Sequence, residues 1–320
     1  MNYGKHFKLT STYGRAKKQV RATAPGYELI IGKAQELESK QIREAEVILG
    51  WSKHIAEEAL HQDSKLKWIQ TWSAGIDKLP LTELEKRNIL LTNTSGVHAI
   101  PITEQIFGML LSHTRYLQQA ALLQRQKTWQ PPKGQLTELR GKTLLITGVG
   151  EIGRETARIA EAFGMRVIGI RRSGKEAPHV EHMYTNEQLH EALGAADIVV
   201  NILPFTEETH HFFDEKAFAA MRKGAFFINV GRGGTVHTDA LVRSLEQKHI
   251  AFAGLDVFEE EPLPASHPLW SLDHVLITPH IAGDTDRYAE RAVDIFLTNL
   301  NAYAADQELP LNVVNYKTQY

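Results

Sequence analysis

The chain has 320 residues, room for two domains at ~150 residues each. Its 36 Lys and Arg against 38 Asp and Glu leave a formal charge of −2 with no long block of one sign, which argues against electrostatic capture by nucleic acid or an anionic membrane. Cysteine is absent, so disulfides, Cys-ligated zinc, iron–sulfur clusters and a Cys nucleophile are excluded. A polar N-terminus, and no apolar run near the ~18 residues of a membrane span, lead to the expectation of a cytoplasmic enzyme.

Short apolar runs alternate with helix-like stretches along the chain, the pattern of an α/β protein with parallel sheets. In the first hundred residues the expected strands are Glu28–Ile31, Val47–Gly50, Lys67–Thr71 and Ile89–Thr92, separated by charged helical segments such as Lys33–Arg43. Pro101 opens a long amphipathic stretch to about Gln126, read as one helix because Pro suits a first turn and apolar residues recur at Ile102, Ile106, Met109, Leu110 and Leu117. After the break at Trp129–Gln135 a second series begins, with strands at Thr143–Thr147, Arg166–Ile170, Asp197–Asn201, Ala225–Val230 and Val275–Thr278. A last helix is expected over Asp286–Ala304, after a hinge at Gly283.

The strand ending at Thr147 runs straight into Gly148-Val-Gly150-Glu151-Ile152-Gly153 and then a helical pattern. In that setting G-x-G-x-x-G has a mechanism. The first Gly allows the tight turn, the second lets backbone approach a pyrophosphate, the third lets helix and strand pack, and the helix N-terminus faces the anion. The next strand should end at a carboxylate if the cofactor carries a free ribose 2′-hydroxyl. Here it ends at Arg171-Arg172-Ser173, two guanidiniums and a hydroxyl suited to a 2′-phosphate. NADP(H) is therefore the expected cofactor, with NAD(H) the alternative.

Five ordered segments carry a resemblance: Gly148–Gly153, Ala196–Thr209, Met221–Gly234, Ala253–Pro262 and Thr278–Gly283. Together they are similar to the D-isomer-specific 2-hydroxyacid dehydrogenases. The resemblance implies two Rossmann-like domains, a nucleotide-binding domain at 99–284 inserted into a flavodoxin-like substrate domain formed by 1–98 and 285–320, with the active site in the cleft between them. It places the family's catalytic residues on Arg232, Glu261 and His280. Their chemistry is intelligible by itself: a forked cation for the carboxylate and carbonyl oxygens, an imidazole that gives or takes the proton, and a carboxylate that orients the ring and favours its charged form. Within Glu259-Glu260-Glu261 the resemblance selects Glu261, because the family's functional Glu immediately precedes a Pro, here Pro262, and Glu259 and Glu260 are then expected to be solvated.

By the same resemblance Pro204, Thr206, Thr209, Val230 and Asp256 contact the cofactor, and the backbone of Ser73, Ala74 and Gly75 in Thr71–Asp77 receives the substrate carboxylate. Trp51 and Trp72 stand after strands, where they line a substrate pocket or simply pack in the core. His98 occupies a crossover position where the family commonly has Asn, and is assigned to substrate. His237 is expected to open a helix. The family also implies a homodimer paired through the cofactor domain, to which apolar faces of Pro101–Gln126 contribute. A small 2-oxo acid reductase is thus the leading reading, and a dinucleotide-sensing, corepressor-like protein on the same fold is the alternative. No metal is expected, since no cluster has ligand spacing such as H-E-x-x-H.

Overall fold

The computed structural model describes residues 5–9, 14–76, 79–132 and 136–316, so Asp77 and residues 133–135 of the loop and break named above lie outside the described residues. The chain divides into two compact units, Met1–Val97 with Asp286–Tyr320, and His98–Thr285.

The discontinuous unit contains β1 (Lys5–Leu9), α1 (Gly14–Thr23), β2 (Tyr27–Ile31), α2 (Ser39–Glu44), β3 (Val47–Leu49), α3 (Lys53–Ala59), β4 (Trp68–Gln70), α4 (Leu81–Lys86) and β5 (Leu90–Thr92). Its strands pair in parallel in the order β2-β1-β3-β4-β5, the flavodoxin-like arrangement. Strand β1 was not anticipated. Its sequence KHFKL has only two apolar residues, yet it pairs on both sides, a case of tertiary pairing overriding local pattern. The sheet is finished by the chain's final helix, numbered α11 below (Tyr288–Ala304). From it Phe296 stacks on Trp68 at 5.2 Å and Tyr303 donates to Glu46 Oε1, while Trp68 Nε1 donates to Thr92 Oγ1.

The continuous unit contains α5 (Ala99–Thr114), α6 (Leu117–Arg125), β6 (Thr143–Thr147), α7 (Glu151–Ala162), β7 (Arg166–Ile170), β8 (His182–Tyr184), α8 (Leu189–Ala195), β9 (Ile198–Asn201), α9 (Glu215–Ala220), β10 (Ala225–Asn229), α10 (Thr238–Glu246), β11 (Ile250–Leu255) and β12 (Val275–Ile277). Its parallel sheet runs β12-β11-β10-β9-β6-β7-β8, so the order reverses between β6 and β9. A parallel sheet buried on both faces needs near-continuous apolar strands, and β6 and β10 are buried at every position. Neighbouring residues serve opposite cores. Leu144 and Ile146 pack with α5 and α7, whereas Leu145 packs with α8, α9 and α10, as the period of two along a strand requires.

The stretch from Pro101 is two helices, not one. It begins at Ala99 and breaks where Tyr116 adopts a left-handed backbone (φ 62°), a position with neither Gly nor Pro to signal it. Strand β8 is a three-residue edge strand. Strand β11, IAFAGL, was also unanticipated, because its small residues weaken the strand pattern. Helix packing requires them: a Cβ on Gly254 would lie 2.8 Å from Met109 Sδ of α5.

Candidate active site

The phosphate loop follows β6, beside the reversal in strand order where α/β sheets bind ligands. Gly148 has φ +99°, and a Cβ there would meet the Ile202 backbone at 3.1 Å. A Cβ on Gly153 would lie 2.6 Å from Gly148 O, so this glycine is fixed by the contact between helix and turn. Gly150 differs from both. A Cβ there meets no protein atom within 4 Å, so packing does not demand Gly. It is the N-cap of α7 and no side chain caps the helix, leaving the first-turn N–H groups of Glu151, Ile152 and Gly153 for an anion. Arg171, Arg172 and Ser173 form the turn after β7, closed by Gly174 N–H on Arg171 O at 2.8 Å. Among the described residues neither guanidinium is paired with a carboxylate.

Arg232, Glu261 and His280 follow the carboxyl ends of β10, β11 and β12, three neighbouring strands. His280 Nδ1 lies 2.7 Å from Glu261 Oε2, and Phe258 N–H donates to Glu261 Oε1 at 2.9 Å, so both carboxylate oxygens are held. Burial pushes the Glu261 carboxyl up, but the His280 ring, the Phe258 N–H and the charges of His280 and Arg232 together outweigh it and hold it below the usual carboxylate range. An ionised Glu261 only accepts, so His280 Nδ1 carries the hydrogen and Nε2 is the atom left to exchange a proton. The Arg232 guanidinium donates to Gly231 O at 2.8 Å. Its loop is pressed on the one bearing Glu261, for a Cβ on Gly233 would fall 1.9 Å from the Phe258 backbone.

The loop after β9 contains Pro204, Thr206 and Thr209. Thr209 Oγ1 donates to Pro204 O at 2.7 Å and accepts from Thr206 N–H at 2.8 Å, so its hydroxyl shapes the loop. Val230 is buried in the core shared with α5 and α7. His237 caps α10, accepting from Ala240 N–H. Glu259 lies at the surface but is not merely solvated: it accepts from Thr238 N–H at 2.7 Å and sits 2.6 Å from His211 Nε2.

In the discontinuous unit the loop after β4 has an unequal backbone. The carbonyls of Trp72, Ser73, Ala74 and Gly75 all receive donors, from Thr94 and Tyr288, Thr94, Asn93 and Ser73 respectively. The N–H groups of Ser73, Ala74 and Gly75 have no protein acceptor among the described residues, the polarity an anion requires. Trp51 and Trp72 pack against the cores of this unit. His98 lies in the continuous unit, its Nδ1 3.0 Å from Gly283 O.

Comparison with known proteins decides the identity. The family model described as D-isomer specific 2-hydroxyacid dehydrogenase, NAD binding domain, matches residues 107–282. The chain belongs to the D-isomer-specific 2-hydroxyacid dehydrogenases. It is 36% identical over 267 residues to the glyoxylate reductase of Thermofilum pendens, covering 82% of this chain and 78% of that one. The structure of a D-isomer-specific 2-hydroxyacid dehydrogenase family protein from Aeromonas salmonicida superposes with a TM-score of 0.81 at 33% identity, covering 98% and 99% of the two chains. A relative from Xanthobacter autotrophicus, solved in complex with NADPH and MES, gives 0.79 at 27% identity, covering 99% of both.

This dehydrogenase interconverts 2-oxo and 2-hydroxy acids with a nicotinamide dinucleotide, and its loop fits that cofactor: Gly150 is small without a packing reason, beside an uncapped helix end. Among its described residues no helix is long and apolar enough to cross a membrane. Sequence reasoning missed the buried polar brace beneath the site. Asn201 Nδ2 donates to Asn229 Oδ1 at 3.0 Å and to Thr235 Oγ1 at 2.7 Å, and Thr235 Oγ1 donates to Arg232 O at 2.6 Å. The signal was present: IVVN and FFIN are apolar strands that each end in Asn. Asp256, assigned by resemblance to the cofactor, is buried and holds the His280 loop. Its Oδ1 accepts from Thr278 Oγ1 and Ile281 N–H, and its Oδ2 from Ala282 N–H at 2.9 Å.

Proposed function

We propose that this dehydrogenase is an NADPH-dependent reductase of a small 2-oxo acid, glyoxylate or hydroxypyruvate, with His280 as proton donor and Arg232 as the group that binds the carbonyl and carboxylate oxygens. The observation that carries the reading is the 2.7 Å contact of His280 Nδ1 with an ionised Glu261, which leaves Nε2 to deliver the proton. The glyoxylate reductase relative and the NADPH-bound neighbour support the choice of substrate class and cofactor. When bound, the reduced nicotinamide supplies the hydride to the carbonyl carbon. As the carbon–oxygen π pair moves onto oxygen, His280 Nε2–H gives that oxygen its proton, and the neutral ring is reprotonated from solvent. Arg232 offsets the negative charge that develops on oxygen, the point at which a fixed cation lowers the barrier most. Glu261 keeps the ring in one orientation, with its Nδ1 hydrogen toward the carboxylate and Nε2 toward the substrate oxygen.

Arg171, Arg172 and Ser173 are the proposed 2′-phosphate site, and the Ser73, Ala74 and Gly75 N–H groups the proposed carboxylate site of the discontinuous unit. We also propose a homodimer paired through the continuous unit, supported by the exposed apolar side chains Leu117, Leu122, Trp129 and Leu136.

The direct test is oxidation of NADPH and of NADH, in parallel, with glyoxylate, hydroxypyruvate, pyruvate, 2-oxoisocaproate and phenylpyruvate. The reading expects NADPH with a two- or three-carbon acid to give the highest kcat/KM. Preference for NADH, or turnover confined to the branched and aromatic acids, refutes it.

A further inference from the structure

The loop that carries His280 is conformationally demanding. His280 itself adopts a left-handed backbone (φ 53°), a region that an L side chain rarely occupies unless its surroundings enforce it. Asp256 ties the middle of the loop, receiving His280 N–H on its carbonyl at 2.9 Å and Ile281 and Ala282 N–H on its carboxylate. Both ends are tied from elsewhere. At one end Gln105 Nε2 donates to Thr278 Oγ1 at 3.2 Å, and Thr278 Oγ1 in turn donates to Asp256. At the other end the His98 ring lies on Gly283, its Nδ1 3.0 Å from Gly283 O, so close that a Cβ on Gly283 would stand 2.9 Å from the same nitrogen.

His98 is the N-cap of α5 and Gln105 lies within it, seven residues on. Together with Ile102 and Met109 they are spaced i, i+4, i+7, i+11, one stripe of a helix. Ile102 shares a buried core with Ala282 of the loop, and Met109 fills the space above Gly254 of β11. Helix α5 is therefore docked by its apolar members and reaches the loop with its two polar ones. We infer that His98 and Gln105 are positioning residues for His280, holding the two ends of its loop so that Nε2 is presented at a fixed place. This rests on the proposed role of His280 as proton donor and replaces the assignment of His98 to the substrate. A proton donor displaced by ~1 Å costs up to about 10²-fold in rate, so modest loosening of the loop is kinetically visible.

The test uses the full-length protein with NADPH and glyoxylate, comparing His98→Leu, His98→Asn and Gln105→Met. Asn places an amide N–H where the imidazole has Nδ1, so His98→Asn retains the bond to Gly283 O that His98→Leu removes; Met preserves the length of Gln105 without its donor. The expected result is a fall in kcat of about tenfold for His98→Leu and Gln105→Met, with both KM values within twofold of wild type, a larger solvent isotope effect, and kcat restored in His98→Asn. NADPH binding by fluorescence verifies that each variant is folded, and His98→Asn with Gln105→Met suffices if His98→Leu is not. A rise in KM for glyoxylate with kcat unchanged makes His98 a substrate contact and overturns the inference. So does wild-type kcat in Gln105→Met, or a His98→Asn variant as slow as His98→Leu. His280→Ala, run beside them, separates the two levels: turnover that survives it removes the proton donor itself, whereas turnover lost there but intact in the α5 variants removes only the positioning.

Discussion

His113, a half-buried residue in the last turn of α5, makes stability depend on pH in a calculable way. Its ring stacks on Phe252 at 4.2 Å and meets the edge of Phe226 at 4.8 Å. Burial, and secondarily the charge of His274, push its pKa from 6.5 down to about 4. The folded state therefore holds the ring neutral where the unfolded chain protonates it. A depressed pKa of this kind contributes stability that is complete above pH 6.5 and is lost as pH falls from 6.5 toward about 4. The full difference corresponds to about 3 kcal/mol. Because the ring is only half-buried, solvent screening reduces the expected loss to ~1.5 kcal/mol at pH 4.5. His113→Phe keeps an aromatic ring in the same cluster and removes the titration. Urea unfolding of both proteins at pH 7.5, 6.5, 5.5 and 4.5 should show the variant gaining on wild type by ~1.5 kcal/mol across that range, most of it below pH 6.5. A stability gap that stays constant from pH 7.5 to 4.5 refutes the argument.

The phosphate loop predicts a contrast between two glycines. Gly153→Ala, 2.6 Å from a backbone oxygen, should lower both the urea midpoint and NADPH affinity, while Gly150→Ala, with open space around its Cβ, should weaken NADPH binding at least tenfold and leave the midpoint unchanged. Arg171→Asp combined with Arg172→Ala should raise the KM for NADPH at least tenfold and lower that for NADH; an unmoved NADPH value contradicts the 2′-phosphate assignment. Glu261→Gln retains a hydrogen-bond partner for His280 but not its charge, and kcat should fall about 10²-fold with cofactor affinity preserved. Leu117→Lys with Leu122→Lys should shift the molecular mass in solution from dimer to monomer, and light scattering reads this directly.

Much of the site was legible because its chemistry is local in sequence. The Gly148–Gly153 run lies between a strand and a helix in the structure as in the pattern, whereas Glu261 is picked out of its acidic run only by the family resemblance, in which the functional Glu precedes a Pro. What escaped reading depends on neighbours distant in the chain. Strand β11 hides behind small residues that make sense only once Met109 is seen above Gly254, and β1 hides behind lysines although the sheet pairs it on both sides. The same applies to function. Nothing near Asp256 in sequence announces that its carboxylate is consumed by three donors from residues 278–282. Nor does the sequence around Tyr116, lacking Gly and Pro, betray the left-handed residue that divides α5 from α6.

The split of one unit around the other sets a timetable for biosynthesis. Residues 98–285 are contiguous and can close their sheet as they emerge from the ribosome. The first sheet cannot finish, because the core that buries Val47, Leu49 and Trp68 is completed by Phe296 and Leu300. At ~5–20 residues per second, the roughly 200 intervening residues keep that apolar face without its helix for on the order of 10–40 s. A nascent chain whose residue 285 has just cleared the ribosome would thus present a finished nucleotide-binding unit joined to an unfinished sheet, a surface suited to chaperone capture until the last helix emerges.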